Sequence, residues 1–63
     1  MFPNEIYEII IIYPLTEKKY KYSTQTKAKE VGKRFSYLSN VNRVYIKINN
    51  NISGYYEKGK YKE

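Results

Sequence analysis

Two short stretches of the chain interleave cations with aromatic or β-branched residues: Lys19-Tyr20-Lys21-Tyr22 and Arg43-Val44-Tyr45-Ile46-Lys47. In an extended strand alternate side chains share a face, which sets Lys19 with Lys21 in one row and Arg43, Tyr45 and Lys47 in another. Cations in such rows hold carboxylates or phosphates, and a tyrosine among them offers a ring on which a base stacks. Covalent chemistry has much poorer material. Ser23, Ser36, Ser39 and Ser53 lack a histidine to activate them, the chain has no His, Cys or Asp, and its six Glu are scattered. General acid–base work at neutral pH and the usual zinc, iron and copper sites both call for residues that are missing. An oxygen-ligand cation site needs a carboxylate cluster, and Gly32, Gly54 and Gly59 are too isolated to form a phosphate loop. The expectation is a protein that binds and is not an enzyme, with no metal and no cofactor.

Periodicity indicates the elements that position these rows. Glu5 to Tyr13 is a β-branched and aromatic run with a proline near each end. Turning Tyr7, Ile9, Ile11 and Tyr13 toward the core sends Ile6, Glu8, Ile10 and Ile12 to the opposite face, and a strand apolar on both faces lies centrally in its sheet. After a hairpin connection at Pro14 to Lys18, Lys19 to Ser23 forms a second strand with Tyr20 and Tyr22 inward. Ala28, Val31, Phe35 and Leu38 recur at helical spacing between Thr24 and Leu38, which predicts an amphipathic helix of about four turns. Ser23 or Thr24 caps its start, Glu30 pairs with Arg34, and a left-handed Asn40 followed by apolar Val41 closes its end. Gly32 flanks the stripe and either lets the helix approach the sheet closely or is simply tolerated. From Asn42 to Asn49, Val44, Ile46 and Ile48 alternate with Arg43, Tyr45 and Lys47, the pattern of a half-buried strand. Asn49 to Asn51 then turn the chain into a last strand that begins between Ile52 and Tyr55 and runs to about Tyr61.

Assembled, these elements make one α+β domain, residues 1–63, of ββαββ type. The expected sheet has four antiparallel strands in the order 2-1-3-4, with the helix on one face setting Ala28, Val31, Phe35 and Leu38 over Ile9, Ile11, Val44 and Ile46. A chain this short buries only about 60% of the surface its unfolded state exposes. Without disulfide or metal it gains from association, and a homodimer is expected. The absence of cysteine fits a reducing compartment, and Met1 to Glu5 lack the basic start and long apolar run of a signal peptide. The Ile9 to Ile12 stretch falls far short of the ~20 residues that span a bilayer. A cytoplasmic protein with no membrane partner is expected.

The net charge of +6 and pI of 9.6 attract acidic partners and nucleic acids. The charge has a second reading in codon bias: Asn, Lys, Ile and Tyr, all encoded by A- and T-rich codons, make up more than half of the chain. Lys also far outnumbers Arg, although Arg is the better bidentate phosphate ligand.

One helix covers one sheet face only. On the other face Ile10 and Ile12 are expected to stand exposed beside Tyr45, with Lys19, Lys21, Arg43 and Lys47 around them and Tyr55 or Tyr56 on the last strand. Apolar surface with a polar rim marks an interaction site on a small protein, which makes Ile10, Ile12, Lys19, Lys21, Arg43, Tyr45, Lys47 and Tyr55 the candidate partner-binding residues. The reading requires Ile10 and Ile12 to be exposed. Lys27, Lys29, Lys33 and Arg34 form a second basic surface on the helix, read as a solvated face.

The stretch from Lys18 to Ile48 combines a Tyr-rich strand, a Ser-Thr cap, the helix Ala-Lys-Glu-Val-Gly-Lys-Arg-Phe, an Asn-Val step and the strand Val-Tyr-Ile-Lys-Ile. It resembles many short proteins of phages infecting AT-rich Gram-positive bacteria. The resemblance implies a small accessory protein or inhibitor that engages a host or phage protein by stoichiometric binding. A sequence-tolerant module for RNA or single-stranded DNA, using the same basic, Tyr-bearing surface, is the alternative.

Overall fold

A computed structural model describes residues 5–63; the reading of Met1 to Asn4 lies outside the described residues. The elements run β1 (Tyr7–Ile12), β2 (Glu17–Tyr22), α1 (Gln25–Ser36), β3 (Arg43–Ile48), β4 (Asn51–Glu57) and β5 (Lys60–Lys62). All neighbouring strands are antiparallel in the order β2-β1-β3-β4-β5, so the class is α+β and the apolar β1 is interior, as its composition requires. No helix among the described residues is long and apolar enough to cross a membrane.

The sheet has five strands where four were expected. The segment read as one last strand is cut by Lys58 and Gly59, whose φ values of 51° and 83° fit the two-residue type I′ turn of a tight hairpin. The β3–β4 connection uses the same device at Asn49 (φ 50°) and Asn50 (φ 71°). Asn49 also ties down the start of β1: its Oδ1 accepts from the Ile6 amide at 3.0 Å, and its own amide donates to the Ile6 carbonyl at 2.9 Å. Register slips by one residue between Ile46 and Lys47, where Ser53 bulges out of β4.

Thr24 caps the helix, its Oγ1 accepting from the Lys27 amide at 3.3 Å. The other end departs from expectation. The helix stops at Ser36, and Tyr37 and Leu38 donate to carbonyls three residues back, at 3.2 and 3.1 Å. Asn40 is not left-handed; the described non-glycine residues with positive φ are Asn49, Asn50 and Lys58. Leu38, placed in the buried stripe by its spacing, is 45% exposed, because the tightened ending rotates it out of line. Val41 fulfils the apolar role expected of it and is buried in the core.

In place of Leu38 the helix buries Ser36, so the innermost line is Ala28, Gly32 and Ser36, with Val31 and Phe35 on its flank. Small side chains on this line bring the helix close to the sheet. A Cβ on Gly32 would lie 3.0 Å from Ile46 Cδ1 and 3.4 Å from Val44 Cγ1, which decides for close approach over mere tolerance. Beneath sit Tyr7, Ile9, Ile11, Val44, Ile46 and Tyr56. The last two strands are tied to the helix end: the Gly59 amide donates to Ser36 Oγ at 2.9 Å, Ser36 Oγ donates to the Lys33 carbonyl at 2.6 Å, and Lys58 Nζ donates to the Leu38 carbonyl at 3.2 Å.

Candidate binding surface on the open sheet face

Strand register assembles the surface. Opposite the helix, one row crosses all five strands as Lys19, Ile10, Tyr45, Tyr55 and Lys62. Beside it run Lys21, Glu8, Lys47 and Ile52 on one side, and Glu17, Ile12 and Arg43 on the other. All eight residues read as candidates therefore lie on one face. Tyr56, the alternative to Tyr55, pairs with Val44 on the helix side and is buried there. Burial raises the pKa of its phenol, with the neighbouring Tyr61 adding to the effect.

The expected centre of the surface is corrected by burial. Ile10 is only 8% exposed and Ile12 is half-buried. Ile10 is directly flanked by Lys19 and Tyr45, with Glu8 and Ile12 two residues away along its own strand. Among the described residues no helix lies on this side, and the stems of these long neighbours help to shut out water. The face is consequently not an aliphatic patch with a charged rim. It is a layer of charged and aromatic side chains laid over a buried isoleucine.

Much of that layer is internally paired. Arg43 Nη2 meets Glu57 Oε2 at 3.1 Å, and Glu57 Oε1 meets Lys62 Nζ at 3.1 Å. The Arg43 guanidinium lies 4.7 Å from the centre of the Tyr55 ring and 6.0 Å from that of Tyr45, and the two rings are tilted against each other at 5.6 Å. A hydrogen bond to the Tyr45 hydroxyl raises the already high pKa of Arg43, the charge of Glu57 contributing further. The hydrogen bond and charge of Lys62 hold the Glu57 carboxyl below its ordinary range, with Arg43 acting in the same direction. Lys47 Nζ lies 3.7 Å from Glu8 Oε1.

Lys19 and Lys21 have no acidic partner within 4 Å among the described residues, and Lys60 at the far margin has none either. On this face Arg43, Lys47 and Lys62 thus share two carboxylates, Glu57 and Glu8, while Lys19 and Lys21 on β2 and Lys60 on β5 form no ion pair among the described residues. Sequence reasoning missed the carboxylates that make this division. Glu57 was hidden because its neighbours depend on the Lys58-Gly59 turn. Glu8 was seen on this face, but its partner on β3 could not be assigned without the register. Among the described residues no group of three or more His, Cys, Asp or Glu is placed to hold a metal ion.

No protein-family model, curated protein or solved structure matches the chain.

Proposed function

We propose that the protein acts by stoichiometric binding to another protein that presents carboxylates, with the β2 side of the open sheet face as its contact surface. The observation that carries this reading is the pair Lys19 and Lys21, two like charges on one strand face with no carboxylate within 4 Å among the described residues, while Arg43, Lys47 and Lys62 are engaged by Glu57 and Glu8. Uncompensated cations side by side raise the local potential, and an acidic partner relieves it. The resemblance of the Lys18 to Ile48 stretch to short phage proteins supports the same reading, in which an accessory protein occupies a site on a host or phage protein.

One feature favours a protein over RNA or single-stranded DNA. Base stacking needs free ring faces, whereas Tyr45 and Tyr55 are engaged with each other and with Arg43. The test is titration of the purified chain with poly-L-glutamate and with a single-stranded DNA oligonucleotide, at low and at physiological salt. Binding to poly-L-glutamate that Lys19→Glu with Lys21→Glu removes is expected. DNA binding that persists at physiological salt and is lost in Tyr45→Ala with Tyr55→Ala would replace this reading with the nucleic-acid one.

A further inference from the structure

The backbone of β2 is as unsatisfied as its lysines. The strand pairs with β1 on one side and, among the described residues, has no neighbour on the other. The Tyr13 amide donates to the Thr16 carbonyl at 2.9 Å, which makes Tyr13 and Thr16 a hydrogen-bonded pair of the β1–β2 ladder. Hydrogen-bonded pairs alternate along an antiparallel ladder. Lys18, Tyr20 and Tyr22 therefore bond inward to β1, while the amides and carbonyls of Glu17, Lys19 and Lys21 point out from the sheet edge. The Asn49–Ile6 bond on the other side of β1 has the matching phase.

Both flanks of that edge are chemically distinct. On the open face stand the side chains of Lys19 and Lys21. On the helix face Tyr20 is 42% exposed and stacks on Phe35 with ring centres 6.2 Å apart. Phe35 in turn lines a groove of about 310 Å3 with Val31, Arg34 and Leu38. Near the head of the strand a second shallow depression, of about 480 Å3, is bounded by Tyr13, Leu15 and Lys18 among others.

We infer that β2 is an acceptor edge: an extended segment of a partner protein adds to it as a sixth strand, with carboxylates facing Lys19 and Lys21 and apolar side chains between them on the Tyr20–Phe35 side. Strand addition takes its affinity from main-chain hydrogen bonds and its specificity from alternate side chains, and opposite charges directly across a pair of strands attract. A second copy of this chain is the less complementary occupant. Two-fold antiparallel pairing of β2 with itself keeps each face continuous, and every register centred between residues 18 and 21 sets at least one lysine against lysine, although those centred on Lys18 and Lys19 also match Glu17 with Lys19 or Lys21. An acidic strand meets Lys19 and Lys21 with no lysine–lysine pair, and lysines on an edge discourage self-pairing.

This inference rests on the proposed binding function and narrows it to one edge. The probe is a soluble peptide alternating Glu and Val, compared with a block-shuffled peptide of the same composition and with one N-methylated at alternate residues. Binding to the isotope-labelled full chain is followed by titration and by amide exchange. The alternating peptide is expected to slow exchange of the Lys19 and Lys21 amides, and N-methylation to weaken it at least about tenfold, the scale of one or two lost hydrogen bonds.

Lys21→Pro removes an outward amide at an edge position where proline is tolerated, whereas Lys21→Thr removes the same charge and keeps the amide. Weaker binding by the proline variant than by the threonine variant supports strand addition. Equal binding by the two variants, or by the methylated and unmethylated peptides, overturns it and leaves the binding function standing. Failure of every acidic probe to bind overturns both.

Discussion

Ile9 and Ile10 are consecutive on β1, and both are almost fully shielded from water, at 0% and 8% exposure, but by different means. Ile9 is packed in the core under the helix, where a Cβ added at Gly32 would meet it at 3.6 Å. Ile10 faces the side where no helix lies among the described residues, and its neighbours' stems and rings shelter it. The first kind of shelter is a close-packed layer held at fixed separation by small residues on the helix. The second consists of flexible side chains that also carry charge, which lets one layer both exclude water and present a polar surface. A single helix therefore suffices for a sheet that is apolar on both faces.

Truncation of an isoleucine on each side separates the two kinds of shelter. Ile46→Ala, beneath the helix, should cost roughly 2–5 kcal/mol, since the rigid layers above and below cannot collapse into the space. Ile10→Ala should cost about half as much or less, because the side chains above it can relax into the gap. Urea unfolding of both variants measures the difference, and equal costs would mean that the open-face layer is packed as tightly as the helix.

Next in size is the link between the helix end and the β4–β5 turn. Ser36→Ala should lose about 1–3 kcal/mol, since it strips the Gly59 amide of its acceptor. Exchange of that amide should accelerate. Gly59→Ala should cost at least ~1–2 kcal/mol, because the residue sits at φ 83° and a Cβ there would collide with the Tyr37 ring.

Smaller effects sharpen the picture of the open face. The folded-state pKa of Glu57 is lowered, so its contribution to stability is present above the ordinary glutamate value of 4.5 and is lost as the pH falls through the lowered value. Glu57→Gln should flatten that part of the acid limb in a thermal-melt series while leaving the neutral-pH fold intact. The smallest effect belongs to the helix surface. Glu30 and Arg34 pair at 3.1 Å but are largely solvated, and Glu30→Gln should change stability by only ~0.3–0.5 kcal/mol in the same unfolding assay.

Where local pattern and global packing agreed, the elements could be read in advance. The β-branched run of β1, the alternation of β3, the cap at Ser23 or Thr24 and the turn-forming asparagines from 49 to 51, of which Asn51 proves to start β4, all express preferences that act within a few residues. The β4–β5 hairpin was missed because a Lys-Gly turn is a weaker signal than Asn-Gly or Asp-Gly, and three residues of β5 carry little periodicity. Leu38 and Ser36 were exchanged because apolar spacing gives no warning that a helix tightens in its final turn. A serine becomes a core residue only when a distant amide, here that of Gly59, comes to meet it.

The candidate surface divides along the same line. Alternation within each strand, with the apolar set turned toward the helix, was enough to put Ile10, Tyr45, Lys19 and Arg43 on the opposite face, because a strand's side chains have a period of two. Whether Ile10 is exposed, which lysines keep a counterion, and which backbone edge is left open depend on strands far apart in the chain. Those are properties of register and neighbour order, set by long-range pairing, and only the tertiary structure decided them.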